Sequence, residues 1–305
     1  MRAKESPVRI GIDIGGTDTK IGLIDSGNNI IAYDKVKTDS SRTANEVVDE
    51  IGIKTLELME KNEIDMDQCV GAGIGIPGTL DSKKGIVLYS NNLKWENVDI
   101  VEKIGKYLPI PIKIANDADC AALGEVTAGA GIGYSDVAVL TLGTGVGAGI
   151  VIGGEIYAGK GIGGSEFGHT VIVNDGELCS CGRCGCLEAY ASATALIRDA
   201  KNVTGNEFNP EEIFIKAAKG DEIMKKTIDR YIHSLGIGIV NIVNIFRPQR
   251  IILGGGISAQ GEVLTKPLME MVKKESFGGE KGDIPEIVIA SLGNKAGMIG
   301  AACLL

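Results

Sequence analysis

Residues 8–25 read VRIGIDIGGTDTKIGLID, and this stretch decides how the fold opens. Apolar runs at Val8–Ile14 and Lys20–Asp25 stand on either side of a Gly-Gly-Thr turn. A further turn at Asn28-Asn29 precedes a third run, Ile30–Thr38. Short runs of this kind separated by glycine and asparagine turns predict a meander of three antiparallel strands.

The same pattern returns in the middle of the chain, where residues 136–152 read DVAVLTLGTGVGAGIVI. A strand is predicted at Asp136–Leu142, a glycine turn at Gly143–Gly147, and a second strand at Ala148–Ile152. A third strand follows at Glu155–Ala158. Because strand, glycine turn, strand and strand occur twice, we expect one α/β unit to be duplicated.

The remaining segments are assigned from the period of their apolar residues. Helices are predicted at Ala44–Lys61, Val101–Tyr107, Ala118–Ala128, Thr194–Thr204, Pro210–Val243 and Ala296–Leu305. Strands are predicted at Val70–Ile76, Ile112–Ala115, Arg250–Leu253 and Glu286–Ala290. From this pattern we expect a small domain at 1–114 plus 294–305 and a large domain at 115–293, with a cleft between them.

Composition narrows the possible partners. The 305 residues carry 31 Lys and Arg against 40 Asp and Glu, a net charge of −9, which disfavours nucleic acid and membrane surfaces. The charged, polar start at residues 1–7 is unlike a signal peptide, so we expect a cytoplasmic protein.

Four of the seven cysteines fall between Cys179 and Cys186, and such a cluster favours metal over disulfides.

Three glycine turns are candidates for binding phosphate. The first is Asp13-Ile14-Gly15-Gly16-Thr17, the second is Thr141–Gly147, and the third is Leu253–Ser258. Glycines let backbone N–H groups approach an anion, and a helix N-terminus adds to this at the third turn. The alternatives are plain hairpin turns and a helix cap. Strand leads to strand at the first two turns, so neither a Walker A loop nor a Rossmann site is indicated.

Two phosphate turns in duplicated halves, followed by a late glycine turn, resemble the actin-like ATPase superfamily. Glu166-Phe167-Gly168-His169 precedes Cys179–Glu188, which is similar to the ROK family signature C-x-C-G-x-x-G-C-x-E at every fixed position. The resemblance covers residues 8–305. It implies an α/β two-domain actin-like ATPase fold, built as a ribonuclease H-like duplication, with an interdomain cleft and a structural zinc loop.

The resemblance also implies the site residues. Nucleotide would be held by Asp13, Gly15, Gly16, Thr17, Thr144, Gly145, Gly255 and Gly256, with Asp13 holding Mg²⁺ through water. Sugar would contact Gly78, Asn92, Asn116, Asp117, Glu166, His169 and Glu188. Structural zinc would be bound by His169, Cys179, Cys181 and Cys186. Cys184 falls on a variable position of the signature, and the sequence leaves its participation open.

Asp117 has two interpretations from its position alone. It follows a strand and begins a helix, so it can cap the helix or act as a base toward an attacking hydroxyl. The resemblance implies the second role for Asp117. We expect Asp119 to complement the helix dipole and Lys20 to point off its strand rather than bind phosphate. Trp95 and His233 are predicted to be packing residues.

The expected function is ATP-dependent phosphorylation of a hexose at its 6-hydroxyl, with D-glucose giving glucose 6-phosphate. Fructose, mannose, allose and N-acetylmannosamine stay open as substrates, as does polyphosphate as donor. Some members of the family are sugar-responsive repressors with an added helix-turn-helix. Only seven residues precede the first predicted strand, so we expect no such module here. The family also implies a homodimer.

Overall fold

The computed structural model describes residues 7–39, 41–161 and 164–305. In these ranges the strands are β1 (Val8–Ile14), β2 (Asp18–Ile24), β3 (Ile30–Lys37), β4 (Cys69–Ile76), β5 (Thr79–Asp81), β6 (Ile86–Ser90), β7 (Trp95–Asp99), β8 (Ile112–Asn116), β9 (Val137–Leu142), β10 (Val146–Ile152), β11 (Glu155–Ile156), β12 (Arg250–Gly254) and β13 (Glu286–Ile289). The α-helices are α1 (Ala44–Lys61), α2 (Ile100–Gly105), α3 (Asp117–Ala128), α4 (Glu188–Ala191), α5 (Ala193–Thr204), α6 (Pro210–Ala218), α7 (Glu222–Phe246), α8 (Glu262–Glu275) and α9 (Ala296–Ala302).

Two five-stranded sheets repeat one strand order. The first runs β3-β2-β1-β4-β8, and the second runs β11-β10-β9-β12-β13. In the first, β1 to β3 are antiparallel neighbours, whereas β4 is parallel to both β1 and β8. In the second, β12 is parallel to both β9 and β13, and β10 pairs with β11 in the antiparallel sense. The repeated order confirms the predicted duplication and the α/β fold class.

Several elements differ from the predictions. A third sheet, β5-β6-β7, forms between Thr79 and Asp99, where no strand was predicted. The helix predicted at Pro210–Val243 is two helices, because Gly220 adopts φ +98 and Asp221 caps α7 by accepting from Ile223 N–H and Met224 N–H. The last helix ends at Ala302 rather than Leu305.

The chain divides into two compact units. The first contains 1–133, 149–165 and 294–305, and the second contains 134–148 and 166–293. The domain boundaries proposed from the sequence stay a prediction. In the first unit the core is formed by the inward faces of β1, β2 and β4 with α1 and α2, and it includes the fully buried Ile10, Ile12, Ile74 and Ile104.

Helix α9 packs against α3 through glycines. A Cβ on Gly124 would stand 2.2 Å from the Ala296 carbonyl oxygen, and one on Gly300 would stand 1.7 Å from the Cys120 carbonyl oxygen. Those distances are far below van der Waals contact, so the two helix backbones meet at a spacing that only glycine permits. This accounts for part of the high glycine content, 44 of 305 residues.

The two residues predicted to pack in the interior differ in their burial. Trp95 is buried in β7, which confirms its packing role. His233, by contrast, is exposed on α7, so its predicted role as a packing residue is wrong. Helix α8 ends on the surface with Lys273-Lys274-Glu275. Across the described ranges, none of the helices combines the length and the apolar character needed to cross a bilayer.

Candidate functional site

The first glycine turn joins β1 to β2 in the first unit. It is closed by a hydrogen bond from Gly15 N–H to the Asp18 carbonyl, at 3.0 Å. Gly16 lies beside Asn92, because a Cβ built on Gly16 would stand 3.6 Å from that of Asn92. Thr17 is exposed, so its hydroxyl is accessible to a ligand. The turn thus presents the predicted phosphate-binding backbone to solvent, with a predicted sugar contact next to it.

Asp13 lies at the end of β1 and forms an ion pair with Lys20. The two residues are directly opposite in the β1–β2 register, and Lys20 Nζ is 2.9 Å from Asp13 Oδ2. The side chains are 14% and 26% exposed. Lys20 therefore lies on the same face of the sheet as Asp13, and whether it contacts phosphate stays untested. Gly297 of α9 leaves room for this carboxylate, since a Cβ there would stand 2.8 Å from Asp13 Cγ.

Asn116 and Asp117 lie at the junction of β8 and α3. The N-cap is Asn116, whose side-chain oxygen accepts from Ala118 N–H at 2.9 Å. Its side-chain nitrogen donates to the Gly78 carbonyl at 3.3 Å, which brings two predicted sugar residues together. Asp117 is therefore the first helical residue and not the cap, and its half-buried carboxylate also accepts from Ala118 N–H at 3.0 Å. Asp119 is 2% exposed and is turned into the protein.

The second glycine turn, between β9 and β10, lies against the start of α5 in the second unit. Gly143 and Gly145 close the turn with a backbone hydrogen bond of 3.0 Å. Ala193 N–H donates to the Gly143 carbonyl at 2.8 Å, and the Thr194 hydroxyl donates to the Thr144 carbonyl at 2.8 Å. The start of α5 therefore fixes the second glycine turn, and this contact could not be predicted from the sequence.

The third glycine turn lies next to the second. The parallel register of β12 and β9 places Gly254 opposite Thr141. Gly255 adopts φ +81, and a Cβ there would stand 2.4 Å from the Leu142 carbonyl oxygen. The next residues, Gly256–Gln260, form a 3-10 helix, so the α-helix N-terminus predicted directly after this turn begins later, at Glu262.

Glu188 connects the second glycine turn with residues 179–186, which we call the cysteine loop. Its Oε2 accepts from Val146 N–H at 3.1 Å, and its Oε1 accepts from the Ser180 hydroxyl at 2.8 Å. A Cβ on Gly145 would stand 2.3 Å from Oε2, so glycine is required for the carboxylate to lie over the turn. Ser180 could not be predicted from the cysteine signature, because it occupies a variable position of that signature.

The predicted zinc ligands converge in the second unit. One ligand atom from each of His169, Cys179, Cys181 and Cys186 lies within 4.8 Å of every other. Zn–S bonds of about 2.3 Å and Zn–N bonds of about 2.0 Å require tetrahedral edges of about 3.8 Å between sulfurs and about 3.5 Å from sulfur to nitrogen. Cys181 Sγ is 3.7 Å from Cys186 Sγ, and Cys179 Sγ is 3.5 Å from His169 Nδ1. The donor set and these spacings fit zinc.

Cys184 does not belong to this group. It is exposed, and its backbone forms an isolated β-bridge with Leu178.

Burial raises the pKa of the Cys186 thiol to about 12, whereas a backbone hydrogen bond at Arg183 lowers the pKa of the Cys181 thiol. Zinc binds thiolates, so a bound cation would be needed to hold both sulfurs ionised together.

His169 has a different neighbour at each ring nitrogen. Nδ1 faces Cys179, and Nε2 lies 3.9 Å from Glu166 Oε2. A carboxylate beside the second nitrogen of a metal-binding histidine is a common arrangement that fixes the ring and its tautomer. Glu166 is exposed, which leaves its carboxylate accessible to a ligand.

An apolar cavity of about 650 Å³ lies elsewhere in the second unit. It is bounded by α6, α7 and α8 with Gln260, and His233 is among its lining residues. None of the predicted site residues lines it. No residue of the glycine turns or of the cysteine loop is among the residues that line the cavity.

The duplicated sheets with their glycine turns define a protein of the actin-like ATPase class. A family model described as the ROK family matches residues 9–305, and this chain belongs to the ROK family.

Its relatives include enzymes and regulators. A glucokinase of Streptomyces coelicolor is 33% identical over 97% of this chain and 96% of its own length. The crystal structure of a ROK family glucokinase from Streptomyces griseus in complex with glucose and AMPPNP has a TM-score of 0.81 and 34% identity, over 97% of this chain and 98% of that one. A xylose repressor of Caldicellulosiruptor bescii is 32% identical over 77% of this chain and 62% of its own length.

Proposed function

We propose that the protein transfers the γ-phosphoryl group of ATP to the 6-hydroxyl of a hexose, with D-glucose as the substrate. The observation that carries this is Asp117, a half-buried carboxylate on the first residue of α3, next to the N-cap Asn116. It is therefore a candidate base in a chain with glycine turns suited to phosphate. Similarity to glucokinases over nearly the whole chain supports the same conclusion.

Phosphoryl transfer depends mainly on positioning and on neutralising charge. In the proposed reaction Asp117 orients the sugar 6-hydroxyl and accepts its proton as the oxygen attacks the γ-phosphorus and ADP leaves. Backbone N–H groups of the turns at Gly15-Gly16-Thr17 and Thr144-Gly145 bind the phosphates, and the turn at Gly255-Gly256 supports the nucleoside. Such donors are fixed before the reaction and need no reorganisation.

Magnesium supplies further neutralisation of the phosphates when it is bound. Asp13 fits this ion because a partly buried carboxylate at a turn can hold hydrated Mg²⁺ with one of its oxygens. Lys20 is paired with the other oxygen of Asp13 and so restrains the carboxylate.

Sugar recognition is proposed for seven residues, which are Gly78, Asn92, Asn116, Asp117, Glu166, His169 and Glu188. Carboxylates and amides accept and donate at fixed positions, as discrimination between sugar hydroxyls requires. A neutral His169 bound to metal through Nδ1 would present its Nε2–H as a donor.

Zinc is proposed to be structural. Its four protein ligands leave no open position, so it would brace the loop that carries Glu166, Glu188 and His169. No step of the proposed transfer passes through it.

The test is an ADP-release assay with purified protein, ATP and a panel of hexoses and N-acetylmannosamine. Turnover with D-glucose at the highest kcat/KM supports the proposal, and a higher value for another sugar corrects the substrate. The xylose repressor among the relatives motivates a second arm, a gel shift on DNA with and without sugar. Failure to phosphorylate any sugar, together with sugar-sensitive DNA binding, contradicts the kinase.

A further inference from the structure

Glu188 is held in place from two sides. Its Oε2 is fixed by Val146 N–H at the second glycine turn, and its Oε1 accepts from the Ser180 hydroxyl at 2.8 Å. The backbone donor cannot be lost by a side-chain change. The Cys179 thiol also lies 3.7 Å from Oε1, but it would lose its proton on binding metal. Ser180 would then be the side-chain donor that orients Oε1.

Ser180 itself is held by the residues on either side of it. It lies between Cys179 and Cys181, both members of the four-residue ligand group. Its side chain is exposed, so it does not contribute to a core. If both neighbours were bound to metal, the backbone of Ser180 would be restrained, and so would the direction of its hydroxyl toward Glu188.

We propose that Ser180 is a positioning residue for sugar binding: its hydroxyl orients the Glu188 carboxylate and so links the cysteine loop to sugar affinity. This inference rests on the proposed function, because it takes Glu188 to be a sugar contact. A hydrogen bond to a charged acceptor is strong and directional, and a carboxylate that has lost it rotates among several orientations. Fewer of those orientations would meet the sugar hydroxyl.

The inference predicts an effect on one kinetic parameter. Ser180→Ala is expected to raise the KM and the dissociation constant for the sugar by about 3- to 10-fold, with kcat and the KM for ATP within about 2-fold of wild type. Ser180→Thr keeps the hydroxyl and is expected to restore wild-type sugar affinity. A matched control is Ser135→Ala, which removes another exposed serine hydroxyl that donates to a carboxylate, that of Asp136, in the same unit.

The experiment combines steady-state kinetics, calorimetric titration of the sugar, and metal analysis of each purified variant. A rise in sugar KM for Ser180→Ala alone, with zinc content equal to wild type, supports the inference. An unchanged KM, an equal rise in Ser135→Ala or Ser180→Thr, or a loss of zinc accompanying the rise overturns it. If the wild-type protein phosphorylates no sugar, the proposed function fails, and calorimetry of the same variants still tests the link between Ser180 and sugar binding.

Discussion

At the scale of single residues, the structure shows which residue is the N-cap of α3, a question that the sequence left open for Asp117. An aspartate after a strand and before a helix satisfies the pattern for a cap and the pattern for a base equally well. The structure gives the cap to Asn116, whose side chain bonds Ala118 N–H and Gly78. Such a choice depends on side-chain rotamers and could not be predicted from residue order.

In the cysteine loop, the residues of the motif could be predicted, whereas their contacts could not. The family resemblance implied His169, Cys179, Cys181 and Cys186 as a group and left Cys184 open, and the structure brings these four side chains together. The contact between Ser180 and Glu188 could not be predicted in the same way, because it depends on how the loop folds back on α4. Motif residues are found by type and spacing, whereas their supporting neighbours are found by geometry.

Cys181 and Cys184 provide a matched pair for the metal site, since both are exposed cysteines of one loop. Cys181→Ser removes a ligand and is expected to lower the zinc content of natively purified protein well below one equivalent. Cys184→Ser is expected to retain one equivalent. Elemental analysis of both variants decides this, and equal zinc loss in the two would show that Cys184 is also a ligand.

At the scale of elements, the sequence predicted best where two signals coincided. Helix α1 has an apolar period and a capping box between Thr43 and Glu46, and its predicted bounds, Ala44–Lys61, match the structure. Strands β5 to β7 were missed because they have only three to five residues each and little alternation. The break between α6 and α7 had a signal, Gly220-Asp221, which the apolar period on either side concealed.

The contact between α3 and α9 gives a prediction for stability. Gly300→Ala would place a methyl group against the Cys120 carbonyl, so the helices must separate, and the free energy of unfolding is expected to fall by about 1–3 kcal/mol or more. Gly105→Ala is the control, because Gly105 is also helical and a Cβ there meets nothing within 4 Å.

For Gly105→Ala the free energy of unfolding is expected to change by less than about 1 kcal/mol, toward greater stability, because alanine favours helix. Urea unfolding followed by circular dichroism measures both variants. Equal stability of Gly300→Ala and Gly105→Ala would contradict the close packing of α3 and α9.

At the scale of the whole molecule, the two five-stranded sheets repeat one strand order. This repeat could be predicted, since the glycine turns occur at matching places in each half. Among the described residues, the sheet β5-β6-β7 and the cysteine loop each occur in only one half of the chain. The repeat therefore could not predict them. The homodimer implied by the family stays a prediction, and sedimentation velocity tests it.

Removing zinc is expected to act on the cysteine loop more than on the sheets. The described cluster of Cys179, Cys186 and Ala189 is small, so the loop has little apolar burial to replace the metal. Dialysis against a chelator is expected to increase proteolysis between Glu166 and Glu188 and to weaken glucose binding, with the far-ultraviolet spectrum nearly unchanged. Restoring zinc should reverse both effects. Full unfolding on chelation would contradict a purely local brace.

The most direct test of the whole account is the initial rate of glucose 6-phosphate formation from ATP and D-glucose by wild type and Asp117→Asn, measured side by side. The account predicts turnover by wild type and a fall in kcat of about 10²- to 10⁴-fold in Asp117→Asn, with glucose still bound. Asp34→Asn, an exposed carboxylate on β3, is the control and should match wild type. Equal kcat in wild type and Asp117→Asn would contradict the account.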